Sequence, residues 1–509
     1  MLPGINSNPG FQGSDHSWVQ AIIYQHNDDP IVMNGKPLGF NLNGQTGDDG
    51  SPSISSVSTQ KNIGSASGSF QIELKPSQSA KNLFDTVVDD DWVDIIFWKG
   101  DEGWHVMRGL LDETPRNRSV SKNGATTTTF SLTGRDFGKI WETTPIWFSP
   151  YANDIVTQAA SIEIFKGVPS VYHSPGKAPY FFLKEFIEKF TSAGGVNWAP
   201  PIGMPGTKQG TFTGNVNFHE SLLGSSLFFQ NKPARNAFNP NGMNPQGMCW
   251  ELAKEYSDEP FTELYVDLLP KGDGPLSSKL TLGDPLTPLD TEMTVVLRDK
   301  PFPVVPTSVP FGYKHPWYDI PVQMINRQEI VSDNLSRSGY ERYNSFYVTP
   351  RILQEQVGSY ALNMLAPLLD KESIKRHGIR RMDVQSNVTP EDLDFKVFAE
   401  YQRNVLRDWY CLNPYMLSGT IALGHGRPDL KIGNRLAIPG SFLSSNELEL
   451  EESYYMESVS NTWKAGTGAR TNLGVTRGWI GTDAEYIAAL NKVARGYAEP
   501  PLLLSVPEV

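Results

Sequence analysis

Short runs with the two-residue period of a pleated strand recur along this chain, and turn residues stop each one before it grows long. Phe70, Ile72 and Leu74 alternate with Gln71 and Glu73, which makes one face of an extended segment apolar and the other polar. Val93–Trp98 is a short apolar run, Lys99–Gly103 a polar turn with two glycines, and Trp104–Leu111 a second run, together a hairpin signal. Trp18–Tyr24 is mostly apolar, and Thr126–Thr133 is crowded with β-branched residues. Glycine (45) and proline (38) make up about a sixth of the 509 residues, against nearer one in eight in an average chain. They are scattered without period, and an aromatic content of 11% is more than disordered chains carry. The expectation is a folded, turn-rich, mainly β protein with a few helices.

Those helices fall between two β-rich blocks. Leu183, Phe186, Ile187 and Phe190 have helical spacing, and Gly194-Gly195 stops the pattern. Gly35–Ser69 and Gly203–Asn244 read as long loops, and Met248–Tyr256 as a helix. Strands return at Thr262–Leu269 and Met293–Arg298, and five prolines mark Pro301–Pro316 as an extended linker. Leu353, Val357, Tyr360, Ala361 and Met364 mark one helix. A stronger one starts at Thr389, which can cap it, with Pro390 in the first turn and Leu393, Val397, Phe398, Tyr401, Val405 and Trp409 on one face. Four strands follow at Ser418–Leu423, Leu430–Ile438, Tyr454–Trp463 and Thr471–Arg477, with a bend at Gly433-Asn434. A final helix, Ala484–Ala494, opens with a Thr482…Glu485 capping box.

Composition narrows the function classes. No run reaches the roughly 18–20 apolar residues that cross a bilayer, and mean hydropathy is −0.36. The start, MLPGINSNPGF, has no basic flank before an apolar stretch, so it is not a secretory signal. Cys249 and Cys411 are too few for a disulfide scaffold or a thiolate zinc site and read as small buried hydrophobes. A net charge of −12 argues against broad contact with DNA phosphates.

Catalytic and cofactor signatures are missing. There is no phosphate-cradling G-x-x-x-x-G-K-[ST] and no G-x-S-x-G nucleophile elbow. His219-Glu220 lacks the second histidine of a zinc protease, and Gly424-His425-Gly426 carries Asp429 where a dinucleotide turn needs its third glycine. Asp89-Asp90-Asp91 reads as a solvated acidic turn rather than a cation site. The eight histidines are dispersed and read as structural or surface residues. The acidic segment Glu447–Glu452 is the one candidate surface. Glu447, Glu449 and Glu451 alternate with Leu448 and Leu450, so a strand here sends the carboxylates to one face, toward a lumen or a subunit interface. The plain alternative is an exposed hairpin tip.

One succession of motifs is more telling than any of these. Asp94-Ile-Ile-Phe97 and Trp104…Arg108-Gly-Leu-Leu-Asp112 precede Phe130-Ser-Leu-Thr-Gly-Arg-Asp136. Glu263-Leu-Tyr-Val-Asp267, Val296-Leu-Arg298 and Pro301-Phe302 follow, then Ser336-Arg-Ser-Gly-Tyr-Glu-Arg-Tyr-Asn344. Pro428-Asp-Leu-Lys-Ile-Gly433-Asn-Arg-Leu436, Tyr454-Tyr-Met-Glu-Ser-Val459 and Leu473…Arg477-Gly478 close the series. In order and spacing it resembles the baseplate hub proteins of contractile-tailed bacteriophages, with late control protein D and the hub part of type VI secretion spikes as relatives. The resemblance covers roughly residues 15–135 and 260–480.

The resemblance implies a mainly β fold with α+β insertions, holding two tail-tube-like β-barrel domains besides helical and irregular domains. It divides the chain into a first barrel (1–140), a mixed helix and loop insertion (141–260), strands of the second barrel (261–300), a linker and helical α+β region (301–415), the remaining second-barrel strands (416–480) and a C-terminal helix and tail (481–509). It implies a homotrimer that joins the hexameric tail tube to the trimeric central spike and forms part of the channel through which DNA passes without specific binding. Implied partners are the tail tube protein, the central spike protein and baseplate wedge proteins, with the tape measure protein as a further candidate and no membrane insertion. The implied location is the virion tail baseplate, after assembly in the host cytoplasm. No cofactor, metal or catalytic residue is implied. The alternative readings are a virion-associated carbohydrate- or host-binding β protein, and a hub with a fused cell-wall-degrading activity.

Overall fold

The computed structural model describes residues 17–35, 53–146, 200–207, 216–220, 247–270, 279–281, 291–302, 317–350, 366–386, 395–441 and 450–498, with short gaps in several of these ranges, together with Ile187. The N-terminal block contributes strands β1 (Ser17–Tyr24), β2 (Ile31–Gly35), β3 (Ile54–Asn62), β4 (Ser69–Leu74), β5 (Trp92–Lys99), β6 (Glu102–Glu113), β7 (Arg116–Val120) and β8 (Thr126–Asp136). They run antiparallel in the order β3-β4-β8-β6-β5-β1-β2, with β7 beside the first half of β8. A bridge between Asn34 and Ser53 brings β2 back to the start of β3, so the sheet curls into a barrel. Its interior holds Val19, Ile72, Ile95, Met107 and Leu132. Helix α1 (Gln78–Thr86) plugs it with Ala80 and Leu83, and its first turn is held by Ser77, which accepts from the Ala80 N–H at 3.0 Å. Strand β4 alternates exposed and buried as its sequence does. Strands β1 and β5 are buried along both faces, which is why their sequences do not alternate. Their outer face, with Trp18 stacked on Trp98 at 4.9 Å, belongs to a second core.

The middle of the chain builds that second core. Helix α2 (Lys139–Thr143), β9 (Pro145–Ile146), β10 (Val216–Glu220), β11 (Gly247–Met248) and helix α3 (Cys249–Tyr256) lead into β12 (Thr262–Pro270), β13 (Lys279–Thr281) and β14 (Thr291–Asp299). Strand β14 pairs with β12 antiparallel and with β10 parallel in a separate three-stranded sheet. Both faces of this sheet are covered. Leu264, Val266, Val295 and Leu297 join the core shared with Trp18 and Trp98, while Tyr265 and Val296 point into the C-terminal block.

That block begins with β15 (Val322–Met324) and β16 (Ile330–Arg337). Strands β17 (Ser345–Pro350), β18 (Leu368–Asp370) and β19 (Arg381–Ser386), with helix α4 (Lys371–His377) between the last two, precede helix α5 (Phe395–Tyr410). Strands β20 (Leu417–Leu423), β21 (Arg435–Ser441), β22 (Leu450–Lys464) and β23 (Gly468–Ile480), helix α6 (Asp483–Ala494) and β24 (Tyr497–Ala498) finish the chain. The order β16-β20-β23-β22 continues through β21 to β15, around a third core of Ile421, Leu436, Met456 and Leu473. A small sheet, β19-β17-β18-β24, packs against α5.

The mainly β expectation holds, but the strands are shared out differently. Strand β22 is fifteen residues long. Its first half pairs with β21 and its second half with β3, while its other edge follows β23 throughout. The N- and C-terminal blocks are thus one continuous sheet rather than two. Strands β12 and β14, expected in the second barrel, instead form the middle sheet, because the alternation in a strand does not say which strand it pairs with. Two segments expected to be loops hold strands: β3 (Ile54–Asn62) lies inside Gly35–Ser69, and β10 (Val216–Glu220) inside Gly203–Asn244, while most of the expected linker Pro301–Pro316 lies outside the described residues. The strand expected from Leu430 starts only at Arg435, after the bend at Gly433 (φ +77°). Of Asp89–Asp91, Asp91 is not solvated: it is buried, and its Oδ2 accepts from the Val88 N–H at 3.1 Å. The helix expected over 353–364 lies outside the described residues, as does the start of the one expected from Thr389. Of the helix expected around Leu183–Phe190, Ile187 alone is described; it is helical and buried. The capping box at Thr482 and Glu485 is present.

Candidate functional site

Charged residues set inside apolar strands hold the blocks together at three places. In the first, Asp94 of β5 faces Arg108 of β6 across the hairpin. Arg108 donates from Nε to Oδ1 at 2.7 Å and from Nη2 to Oδ2 at 2.8 Å, and Nη2 also reaches the Pro205 carbonyl at 2.9 Å. His105 lies between Asp94 Oδ1, 3.0 Å from Nε2, and the Thr291 hydroxyl, 2.7 Å from Nδ1. Burial alone would raise the Asp94 carboxyl, but Arg108 and His105 outweigh it and hold it well below the usual carboxylate range. Burial pushes the His105 imidazole down despite Asp94. Carboxylate, imidazole and hydroxyl stand in the order of an acyl-transfer triad, yet Asp94, His105 and Thr291 are at most 1% exposed. No substrate reaches the hydroxyl; the array ties β6 of the barrel to the first residue of β14.

The second place joins the middle sheet to the C-terminal block. Arg298 donates to Glu263 Oε1 at 2.7 Å, to the Tyr455 hydroxyl at 3.0 Å and to the Gly433 carbonyl at 2.5 Å. The Tyr455 hydroxyl in turn donates to Glu263 Oε1 at 2.6 Å. A Cβ on residue 433 would run into the Tyr265 hydroxyl and the Arg298 guanidinium, so the close approach requires glycine. Arg477 lies over the rings of Tyr455 (4.2 Å) and Phe302 (4.4 Å), and Phe302 stacks on Trp409 of α5 at 5.0 Å.

The third lies where β3, β8, β12 and the 428–432 segment meet. Lys61 of β3 bonds Asp267 of β12 at 2.5 Å and stands 4.0 Å from Asp136 of β8. A cavity of about 10 Å³, lined in part by Lys61, Asp267, Lys431 and Asn461, sits beside them, about the room of one water molecule. Burial pushes the Asp136 carboxyl up to about 7 against the pull of Lys61, and pushes the Lys431 ammonium down. With these three clusters and the β22–β3 ladder, the N- and C-terminal stretches of the sheet are fixed in relation to each other.

None of these residues was singled out from sequence as a site. The available signal was an ionisable residue inside an otherwise apolar strand: Asp94 in WVDIIFWK, Glu263 and Asp267 in TELYVDLLP. Of the acidic candidates, Glu447 and Glu449 lie outside the described residues, and Glu451 is in β22 with nothing described of its side chain. Their neighbour Glu452 is buried, accepts from the Tyr454 hydroxyl at 2.7 Å and stands 3.5 Å from Arg327. Cys249 and Cys411 are both buried, and burial pushes the Cys249 thiol up to about 12. Among the described residues no group of three or more His, Cys, Asp or Glu side chains is placed to hold a metal ion, and no helix is long and apolar enough to cross a membrane.

No family model and no curated protein matches the chain. Among solved structures it is similar to the tail protein from Neisseria meningitidis MC58 (TM-score 0.42, 9% identity, covering 90% of this chain and 96% of that one). It is also similar to the 43 kDa tail protein of prophage MuSo2 from Shewanella oneidensis (TM-score 0.43, 10% identity, 90% and 98%). A third is the c3393 protein of E. coli, described as a type VI secretion component with structural similarity to T4 bacteriophage tail proteins (TM-score 0.34, 7% identity, 86% and 75%).

Proposed function

We propose that the chain is a structural baseplate hub of a phage tail, working as a homotrimer that joins a hexameric tail tube to a trimeric central spike. The observation that carries the reading is one continuous antiparallel sheet in which two stretches, each with its own apolar core, meet at β22 and β3. Three such chains would offer six stretches of sheet to a sixfold tube and three copies of everything else to a threefold spike. The order of strand motifs in the sequence supports the same reading. The buried ion pairs at the junctions suit a scaffold that must keep its two halves in fixed relation under load.

On this reading the tube, spike and wedge proteins are the partners, with the tape measure protein as a further one. DNA passes through the ring without specific binding, as the net charge of −12 favours. The virion tail is its place of work, reached by assembly in the host cytoplasm, and the role needs no catalysis. The carbohydrate-binding alternative is weakened by the aromatics: Trp18, Trp92, Trp98, Trp141, Trp250, Trp317, Trp409 and Trp463 are all buried, so their rings are not offered to a sugar. Imaging of the assembled tail with a count of copies tests the proposal. Three copies around a channel are expected; two or six copies overturn it.

A further inference from the structure

Two carboxylates gather at one ammonium where β3, β8 and β12 come together. Lys61 Nζ donates to Asp267 Oδ1 at 2.5 Å, and the Leu268 N–H donates to the same oxygen at 2.8 Å. Asp136 stands farther off. Its Oδ2 is 4.0 Å from Lys61 Nζ, and its Oδ1 accepts from the Gly138 N–H at 3.0 Å. The second oxygen of each pair, Asp136 Oδ2 and Asp267 Oδ2, is buried with no hydrogen-bond partner among the described residues. Both aspartates are at most 1% exposed, so bulk water does not supply the missing donors.

The surrounding charges do not make up the deficit. A buried carboxylate oxygen without a donor has lost its hydration and gained nothing in return. Lys61, from β3, is engaged by Asp267. Lys431 lines the small cavity beside them, but burial pushes its ammonium toward the neutral form, and Asp429 acts on it as well. On β6, Arg108 and His105 are taken up by Asp94. Lys61 and the Gly68 and Gly138 N–H groups favour a charged Asp136, yet burial outweighs them, with Asp267 adding to its effect.

We infer that Asp136 and Asp267 share one proton at neutral pH, carried on Asp136 Oδ2 and donated to Asp267 Oδ2. The hydrogen turns the unpartnered oxygen of Asp136 into a donor and gives the unpartnered oxygen of Asp267 its donor, so one bond satisfies both. It also leaves a single negative charge beside Lys61. The shared proton ties β8 of the N-terminal stretch to β12 of the middle sheet and makes that seam sensitive to pH, whatever the protein's place in a tail. The sign follows from the direction of the shift. Burial raises the Asp136 carboxyl from 3.8 to about 7, so its contribution is full below about 3.8 and is lost as pH rises through about 7. The seam is tightest on the acid side of neutral.

Asp136→Asn tests this in the full-length chain, because the amide keeps an acceptor for the Gly138 N–H and offers Asp267 a permanent donor. The urea unfolding constant of wild type, divided by that of the variant, is expected to rise about tenfold per unit from pH 5 toward 7 and to level off above. A ratio that stays constant from pH 5 to 8 overturns the inference. Infrared spectra of wild type give a second reading that needs no folded variant. A carboxylic acid C=O stretch is expected at pH 6 and is expected to fade with a midpoint of about 7. Its absence at pH 6, or its survival in a folded Asp136→Asn chain, overturns the assignment. Asp267→Asn separates sharing from burial alone. With the second carboxylate gone and Lys61 released to Asp136, the band is expected to be missing at pH 6, and a band left unmoved overturns the sharing.

Discussion

Replacing Arg108 with Met leaves the side-chain volume nearly intact and removes three hydrogen bonds, two to Asp94 and one to the Pro205 carbonyl. Asp94 is then a fully buried carboxylate that keeps its hydrogen bond to His105 but has no guanidinium beside it. Breaking a buried pair from one side costs about 3–5 kcal/mol, because the charge left behind has lost water without compensation. Adding Asp94→Asn removes that charge and keeps an acceptor for the imidazole, so the double variant should lie within about 1–2 kcal/mol of wild type. The two residues should thus couple by at least about 2 kcal/mol in a double-mutant cycle. The pH dependence has a sign of its own. In wild type the Asp94 carboxyl sits below its ordinary 3.8, so its contribution is complete above that value and is lost as pH falls further. In Arg108→Met, burial without the guanidinium raises the carboxyl, so the single variant should regain stability as pH falls from 7 toward 4. Urea unfolding followed by tryptophan fluorescence reads all of this, since Trp92 and Trp98 flank Asp94 on β5. A single variant that costs less than about 1 kcal/mol, or a double variant no better than the single, would refute the account of this pair.

Gly433→Ala should destabilise by at least the about 1–3 kcal/mol of backbone strain at φ +77°, with added collision against Tyr265 and Arg298; a melting temperature equal to wild type would contradict it. Burial opposes ionisation of Glu329, but His425 and Arg427 hold its carboxyl down to about 2, so its support is complete above about 4.5 and fades as pH falls toward 2. Glu329→Gln should therefore be less stable than wild type at pH 6 and approach it at pH 2; a gap independent of pH would count against the pairing. Changing Glu447, Glu449 and Glu451 together to Gln should impair tail assembly or slow DNA ejection if they face a lumen or an interface, and unchanged particle yield with unchanged ejection would leave only a solvated tip.

Much of the architecture was legible because strands with one wet face announce themselves. Strand β4 and the β5–β6 hairpin, helix α3 and the Thr482 cap of α6 all lie where pattern and turn chemistry put them. What the pattern could not carry was partnership. Strands β12 and β14 alternate, but the face carrying Glu263, Asp267 and Arg298 is buried against the other blocks instead of facing solvent, so the pattern does not say which strands they pair with. The small sheet β19-β17-β18-β24 draws on four segments between residues 345 and 498, two of them only two or three residues long, and was not foreseen. The junction clusters were hidden for the same reason. Asp94 finds Thr291 through His105, and Lys61 finds Asp267, over sequence separations that no motif spans. In each case the visible trace was a lone charge in an apolar run, which marks a buried partner without naming it.

The double allegiance of β22 sets the order in which the molecule can come into being. Residues 458–464 complete the barrel begun at residue 17, and Trp463 lies in that barrel's core with its indole donating to the Ser17 carbonyl, 446 positions earlier in the chain. The first unit to leave the ribosome is thus finished by nearly the last segment made. Until then β3 has a bare edge and the core lacks an indole, so closure is slow and dominated by distant contacts. A chain broken off anywhere before Ser458 cannot seal even its N-terminal barrel. A prematurely terminated product therefore carries the bare edge of β3 and a core without its indole, which sets it apart from a completed chain.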